Sequence, residues 1–159
     1  MVRLIVLRHA KSDWESGAQS DHERPLNERG NREAPLVGKQ LAERGLVPDF
    51  VLSSDSRRTT ETYQRVASFF PNAEVHYRAE LYHAGLSAVR GLLHLVPAAT
   101  KTLLLVGHNP GWEEMVTELA RRRLEMKTAY AAVFESKADD LPSALAPGAV
   151  LTFIEMITP

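Results

Sequence analysis

Three short apolar stretches in this chain each lead into histidine or arginine side chains, and this recurrence constrains the fold more than any other feature. The stretches are 2–7, followed by Arg8 and His9; 49–52, followed by Arg57 and Arg58; and 102–106, followed by His108. Runs of Leu, Ile and Val of this length are typical of strands buried on both faces of a parallel sheet. The carboxyl ends of parallel strands meet at one edge, where ligands of open α/β sheets bind. The sequence therefore predicts an α/β fold with a basic crevice at that edge.

Imidazoles and guanidiniums gathered around one crevice suit a tetrahedral oxyanion such as phosphate. An arginine donates paired hydrogen bonds to such a group and keeps its charge at any relevant pH. Arg57 and Arg58 open a predicted helix, where cations are disfavoured unless an anion is bound there. Two plainer interpretations stay open at this point. Arg8 and His9 are also compatible with a charged strand end, and both helix arginines with side chains that extend into solvent.

The remaining segments predict helices that alternate with strands. The predicted helices are 27–44, 56–70, 87–96 and 110–123, and the further strands are 74–78, 131–135 and 149–157. Pro35 lies inside the first helix and predicts a kink or a late helix start, because proline removes a backbone hydrogen bond. Asn109 and Pro110 suit the N-cap and first position of the fourth helix. The last two strands predict a hairpin around 147–148.

Composition excludes several classes of protein. The length of 159 residues fits one domain, 1–159. The net charge of -1 argues against a general nucleic-acid-binding protein. Without cysteine, a disulfide, a thiolate metal site or a cysteine nucleophile is impossible. No apolar run approaches the ~20 residues that span a membrane, and no signal peptide is evident, so we expect no membrane association and a cytoplasmic location.

The polar segment 12–27 directly follows Arg8 and His9 and is long for a plain connection. Long loops in compact domains are often functional, so we expect this one to form a wall of the crevice. The candidates for substrate contact here are Lys11, Ser12, Asp13, Trp14, His22 and Arg24. For any single one of them, the favoured interpretation is a solvated loop in which Trp14 packs underneath.

In four segments the chain resembles the histidine phosphatase superfamily, also called phosphoglycerate mutase-like. It is most similar to the short bacterial branch of SixA-type phosphohistidine phosphatases. The matching segments are 7–12, with Ala10 in place of a family glycine; 21–30; 53–62; and 106–110. Together they extend over nearly the whole chain and are specific in their combination and order. The resemblance implies a three-layer α/β/α sandwich with a mostly parallel sheet.

The resemblance also implies roles for individual residues. His9 would be the nucleophile that forms a phosphohistidine intermediate, and Arg8 would bind phosphoryl oxygens. His108 would donate to the developing charge. The family's second arginine falls in a Ser-Pro-x-x-Arg stretch, and counting along it gives Arg58, with Arg57 as the alternative.

Further binding residues and the general acid are less defined by the resemblance. Lys11, Ser12, His22 and Asn109 are predicted to bind substrate. Glu80 follows the third strand, roughly where larger relatives carry the carboxylate that protonates the leaving group. It is equally compatible with a surface turn. A weak or absent acid would suit a phosphohistidine substrate, whose imidazole leaves well once protonated.

The predicted activity is that of a phosphatase without metal or cofactor. The expected substrate is phosphohistidine on a partner protein, for example a histidine-containing phosphotransfer domain, and the alternative is a small phosphate ester. A sugar-phosphate mutase is less favoured, because the short chain leaves little room to enclose a substrate. A metal hydrolase would need closely spaced ligands such as His-x-His, which are absent. A non-catalytic phosphoprotein-binding module remains a further alternative.

Overall fold

A computed structural model describes residues 1–159, and six strands in it form one sheet in the order β3-β2-β4-β1-β5-β6. The strands are β1 (Val2–Arg8), β2 (Phe50–Ser54), β3 (Glu74–Arg78), β4 (Thr102–Gly107), β5 (Ala131–Ser136) and β6 (Thr152–Ile157). Strands β3, β2, β4 and β1 are parallel to one another, whereas β5 pairs antiparallel with β1 and β6 pairs antiparallel with β5. The prediction of a mostly parallel sheet is therefore confirmed.

Strand β4 lies between β1 and β2, so the three strands that carry histidine or arginine at their ends are neighbours. Arg8 pairs in register with Gly107, and Ser53 pairs with Val106. The three carboxyl ends consequently lie side by side at one edge of the sheet, as the sequence predicted.

Helices cover both faces of the sheet. They are α1 (Glu28–Glu43), α2 (Arg57–Val66), α3 (Leu86–Leu92), α4 (Gly111–Ala120) and α5 (Leu141–Ala144). Alternate residues of β1 enter different cores: Leu4 packs with the apolar side chains of α3, α4 and α5, and Ile5 with those of α1 and α2. This alternation gives the predicted α/β/α sandwich. No helix is both long and apolar enough to cross a membrane.

Three helix starts differ from the prediction. Helix α1 begins at Glu28 and continues through Pro35, without the late start that Pro35 predicted, and Asn27 Oδ1 accepts the Gly30 N–H at 2.9 Å as its N-cap. Helix α3 begins before Ser87, with Gly85 as its N-cap. Helix α4 has Pro110 rather than Asn109 at the N-cap and no side-chain cap, and the Asn109 amide nitrogen donates to Met126 O at 2.8 Å.

The closing hairpin is present, but its connection is longer than predicted. Strands β5 and β6 pair antiparallel, with a register shift between Val133 and Phe134. The connection between them contains α5, which Asp140 caps by accepting the Ser143 N–H. The Pro147-Gly148 step is therefore one part of a long connection instead of a tight turn.

Candidate active site

The ends of β1, β2 and β4 place two buried imidazoles close together. His9 follows β1 and His108 follows β4, and their ring centroids are 5.4 Å apart. The backbone N–H of His9 donates to Gly107 O at 3.0 Å, and the backbone N–H of Ala10 donates to Thr62 Oγ1 at 3.0 Å. Backbone bonds to β4 and a side chain of α2 thus hold the strand end on which the candidate nucleophile lies.

A pocket of about 220 Å³ opens at this edge of the sheet. Its lining combines cationic, imidazole and hydroxyl groups: Arg8, His9, Lys11, Ser12, Trp14, Asp21, Arg24, Arg58, His83, His108, Asn109 and Thr128. Most of the side chains singled out in the sequence are brought together here. Among the predicted site residues, Asp13, His22 and Glu80 do not line it, and neither does Arg57, the alternative to Arg58.

The hydrogen bond of His9 defines which of its ring nitrogens is free to react. Nδ1 lies 2.7 Å from Ala10 O, and a carbonyl oxygen only accepts, so Nδ1 carries the proton and Nε2 has the lone pair. Burial, followed by the charges of Arg58 and Arg8, lowers the pKa of His9 to about 3. The imidazole is therefore neutral at physiological pH, as a nucleophile must be.

His108 is buried against β2 and is also neutral. Its Nε2 lies 2.8 Å from Ser54 Oγ, whereas its Nδ1 is buried without a partner. Burial is the main cause that lowers the pKa of His108 to about 2. The proximity of His9 and the charge of Arg58 lower this pKa further. Arg8 Nε and Arg58 Nε are likewise buried without a partner. Buried N–H donors normally find an acceptor, so this pocket has unused donor capacity.

The two helix arginines occupy different environments. Arg58 is 2% exposed, and it donates to the backbone oxygen of Asp21 at 2.7 Å and to Asp21 Oδ2 at 3.0 Å. Arg57 is exposed and pairs with Glu61 at 3.1 Å. The structure therefore brings Arg58, and not Arg57, into the pocket.

Polar contacts hold segment 12–27 over the pocket. Arg24 donates to Ser12 Oγ at 2.5 Å and to Asp21 Oδ1 at 3.0 Å. The Arg24 guanidinium also lies 3.5 Å from the centre of the Trp14 ring, which is 72% exposed. Trp14 thus stands at the pocket rim instead of packing beneath the loop.

His22 attaches the loop to the segment after β2 and does not line the pocket. Its Nε2 lies 2.8 Å from Asp55 Oδ1, and its Nδ1 lies 3.1 Å from Glu23 Oε1. Hydrogen bonds to Asp55 and Glu23 raise the pKa of His22. These contacts indicate that His22 holds the loop in place and does not contact the substrate.

The structure places Glu80 outside the pocket. Its carboxylate is exposed and pairs with Arg78 NH2 at 2.6 Å. The carboxylate inside the pocket is Asp21, which accepts from Tyr82 Oη and from His83 Nε2 at 3.1 Å in addition to the two arginines. Partial burial raises the pKa of Asp21, but the hydrogen bonds from Tyr82, His83, Arg24 and Arg58 outweigh it and hold that pKa far below its usual range.

Sequence reasoning missed Asp21 and His83 as pocket residues. A usable signal existed for His83, because its turn follows β3, whose carboxyl end lies at the same edge of the sheet as those of β2 and β4. Asp21 had a weaker signal as one residue of a polar loop. No three His, Asp or Glu side chains are arranged so that they could hold a metal ion.

Comparisons with known proteins agree with this geometry. A family model of the histidine phosphatase superfamily (branch 1) matches residues 4–102. An uncharacterised chloroplastic protein of Arabidopsis thaliana is 35% identical over 144 residues, which are 84% of this chain and 66% of that protein. This chain therefore spans about two thirds of that plant relative's length.

Two solved structures assigned to the phosphohistidine phosphatase SixA have the same fold. The one from Nakamurella multipartitia has a TM-score of 0.84 at 28% identity, covering 99% of this chain and 96% of that chain. The one from Agrobacterium tumefaciens has a TM-score of 0.81 at 27% identity, covering 99% and 98%. The similarity to both structures thus extends over the whole sandwich, including the strand ends that form the pocket.

Proposed function

The chain belongs to the histidine phosphatase superfamily, and from this premise we propose that it is a metal-independent phosphatase that acts on phosphohistidine in partner proteins. The observation that carries the proposal is the neutral, oriented imidazole of His9 beside buried arginine and histidine donors. An imidazole lone pair next to fixed cationic donors suits attack on a phosphoryl group, whose charge spreads over three oxygens. We extend the proposal to 1–159 as one catalytic domain, and the cytoplasmic location stays a prediction.

In the proposed first step, His9 Nε2 attacks phosphorus while its Nδ1 keeps the proton that it donates to Ala10 O. Arg8 and Arg58 bind the phosphoryl oxygens, and His108 supplies a further donor from its Nδ1. Such preorganised donors need no rearrangement as charge develops, and this usually accounts for the largest part of catalysis. Water then attacks the phosphohistidine and releases phosphate.

The size of the pocket supports a substrate that remains largely outside it. A volume of about 220 Å³ lies below the ~300–1,000 Å³ typical of small-molecule pockets. The leaving group would therefore lie at the rim, beside Lys11 and the exposed Trp14. A modified side chain on a protein surface meets this requirement. The structural similarity to two proteins assigned to the phosphohistidine phosphatase SixA supports the same substrate class.

The test is phosphate release from a phosphorylated histidine-containing phosphotransfer protein in the presence of EDTA. We expect release by the wild type and a loss of at least about 1,000-fold in His9→Ala, because the nucleophile is removed. His94→Ala is the matched control, since His94 is exposed and lies outside the pocket. Failure on the phosphoprotein together with turnover of small phosphate esters would move the substrate to the alternative class, and binding without any turnover would support the binding module.

A further inference from the structure

We infer that His83 is the proton donor to the leaving group and that Asp21 is its positioning residue. The inference rests on the proposed phosphatase function and deepens it. It assigns the acid to an imidazole on the turn after β3, in place of the Glu80 carboxylate that the sequence suggested. Four kinds of observation carry it: the placement of the ring, the backbone of its turn, the packing of that turn and the exclusion of the neighbouring acids.

The His83 ring lies in the pocket and is held on two sides. Its centroid is 5.0 Å from that of His108 and 4.2 Å from that of Tyr82. Its Nε2 lies 3.1 Å from Asp21 Oδ2. A carboxylate that engages one ring nitrogen fixes the tautomer and the orientation of an imidazole, which leaves the other nitrogen for proton transfer. Nδ1 is therefore the nitrogen available to a leaving atom at the rim.

The backbone at His83 adopts a left-handed conformation. Its φ is 52°, in a region that only a few per cent of residues other than glycine enter, although asparagine, aspartate and histidine do so more often than the rest. Such residues cluster at functional sites where the surroundings enforce the conformation. This uncommon conformation coincides with the residue that the turn places in the pocket.

Packing against α4 holds the turn in place. A side chain at Gly111 would overlap with Ala84 O, so only glycine allows the first residue of α4 to approach the turn this closely. His108 lies just before α4, and its ring centroid is 5.0 Å from that of His83. The turn that carries His83 therefore packs directly against the start of α4, next to His108.

The other acids near the pocket do not fit the role. Glu80 is paired with Arg78 on the exposed surface. Asp21 accepts four side-chain hydrogen bonds, and its lowered pKa keeps it ionised. The Tyr82 hydroxyl donates to Asp21, so its proton is held by that carboxylate and is not directed at a leaving group. His83 is the remaining titratable group that is both at the rim and oriented by a partner.

The proposed step balances without an added reactant. As the bond between His9 Nε2 and phosphorus forms, the bond from phosphorus to the leaving atom breaks, and its electron pair stays on that atom. Protonated His83 gives its proton to the same atom and becomes neutral. In the second half-reaction, neutral His83 takes a proton from the attacking water, whose oxygen bonds to phosphorus as the electron pair returns to His9.

Substrates whose leaving groups differ in basicity distinguish a loss of proton donation by His83 from a loss of substrate binding. Ethyl phosphate leaves as a strongly basic alkoxide unless it is protonated, whereas para-nitrophenyl phosphate leaves as a weakly basic phenolate. We expect His83→Asn to lose at least about 100-fold in kcat on ethyl phosphate, since general acid catalysis contributes about 10²–10⁴-fold. On para-nitrophenyl phosphate the loss stays below about tenfold. Asparagine tolerates the left-handed backbone and cannot deliver the proton, which makes it the appropriate replacement.

The controls separate failure of this inference from failure of the proposed function. Asp21→Asn is expected to lose activity on both substrates through Arg58, with an additional loss on ethyl phosphate. His94→Asn is expected to match the wild type on both. Equal losses of His83→Asn on the two substrates would overturn the inference and leave the phosphatase standing. No hydrolysis of either ester or of the phosphoprotein by the wild type would overturn both.

Discussion

At the residue scale, the contrast between the two arginines at the start of α2 gives a matched pair of variants. Arg58→Ala removes a buried donor from the pocket, and we expect a decrease of about 100- to 1,000-fold in kcat/KM, the range measured when one oxyanion-binding donor is removed. Arg57→Ala removes an exposed ion pair with Glu61, and a change below about twofold is expected. Steady-state kinetics on para-nitrophenyl phosphate measures both, and a loss on Arg57→Ala equal to that on Arg58→Ala would contradict the placement.

Residues at strand ends were predictable from the sequence, whereas their partners were not. Arg8, His9 and His108 each follow an apolar run, so a local pattern marks them. Asp21 and His83 meet across 62 positions of sequence through a hydrogen bond. No periodicity relates them, because that contact depends on how the loop and the turn pack over the sheet edge.

At the element scale, two glycines in helices predict opposite effects of alanine. Gly91 lies on α3 with open space around it, so Gly91→Ala is expected to raise the free energy of unfolding by about 0.5–1 kcal/mol through helix propensity. Gly111→Ala forces a methyl group against Ala84 O and is expected to lower it by about 1–3 kcal/mol, as overpacking does. Urea unfolding measures both. A Gly111→Ala variant as stable as Gly91→Ala would show that the turn moves freely.

The elements themselves were largely predictable, but their boundaries were not. All six strands and the major helices follow from apolar periodicity. The first residue of a helix depends instead on local contacts that the apolar pattern does not specify. Asn27 caps α1 with its side chain, whereas α4 begins after Pro110 with no side-chain cap, and the Asn109 amide nitrogen donates to Met126 O.

At the scale of the whole molecule, the buried neutral imidazoles predict acid sensitivity. Histidines in the unfolded chain take up protons below a pH of about 6.5, whereas His9 stays neutral until about pH 3. Because its folded pKa is the lower one, its contribution to stability is complete above pH 6.5 and is lost as the pH falls towards 3. Since one pKa unit corresponds to about 1.4 kcal/mol, we expect a loss of at least about 2 kcal/mol across that range.

Unfolding free energies measured between pH 7 and pH 4 test this. The His9→Gln variant should have a shallower decline than the wild type, because one buried imidazole is gone. His94→Gln should decline like the wild type, since His94 is exposed. Identical slopes for the two variants would mean that His9 is not the source of the acid sensitivity.

Strand β1 lies in the middle of the sheet, so the part of the site next to it is expected to move less than the loop 12–27. Its amides bond to β4 on one side and β5 on the other, so their hydrogen exchange requires unfolding of the whole sheet. Segment 12–27 is held mainly by polar contacts at the surface, and such segments open locally at a much smaller free energy. The nitrogen of His9 is thus held next to a strand paired on both sides, while the pocket rim can rearrange without displacing it.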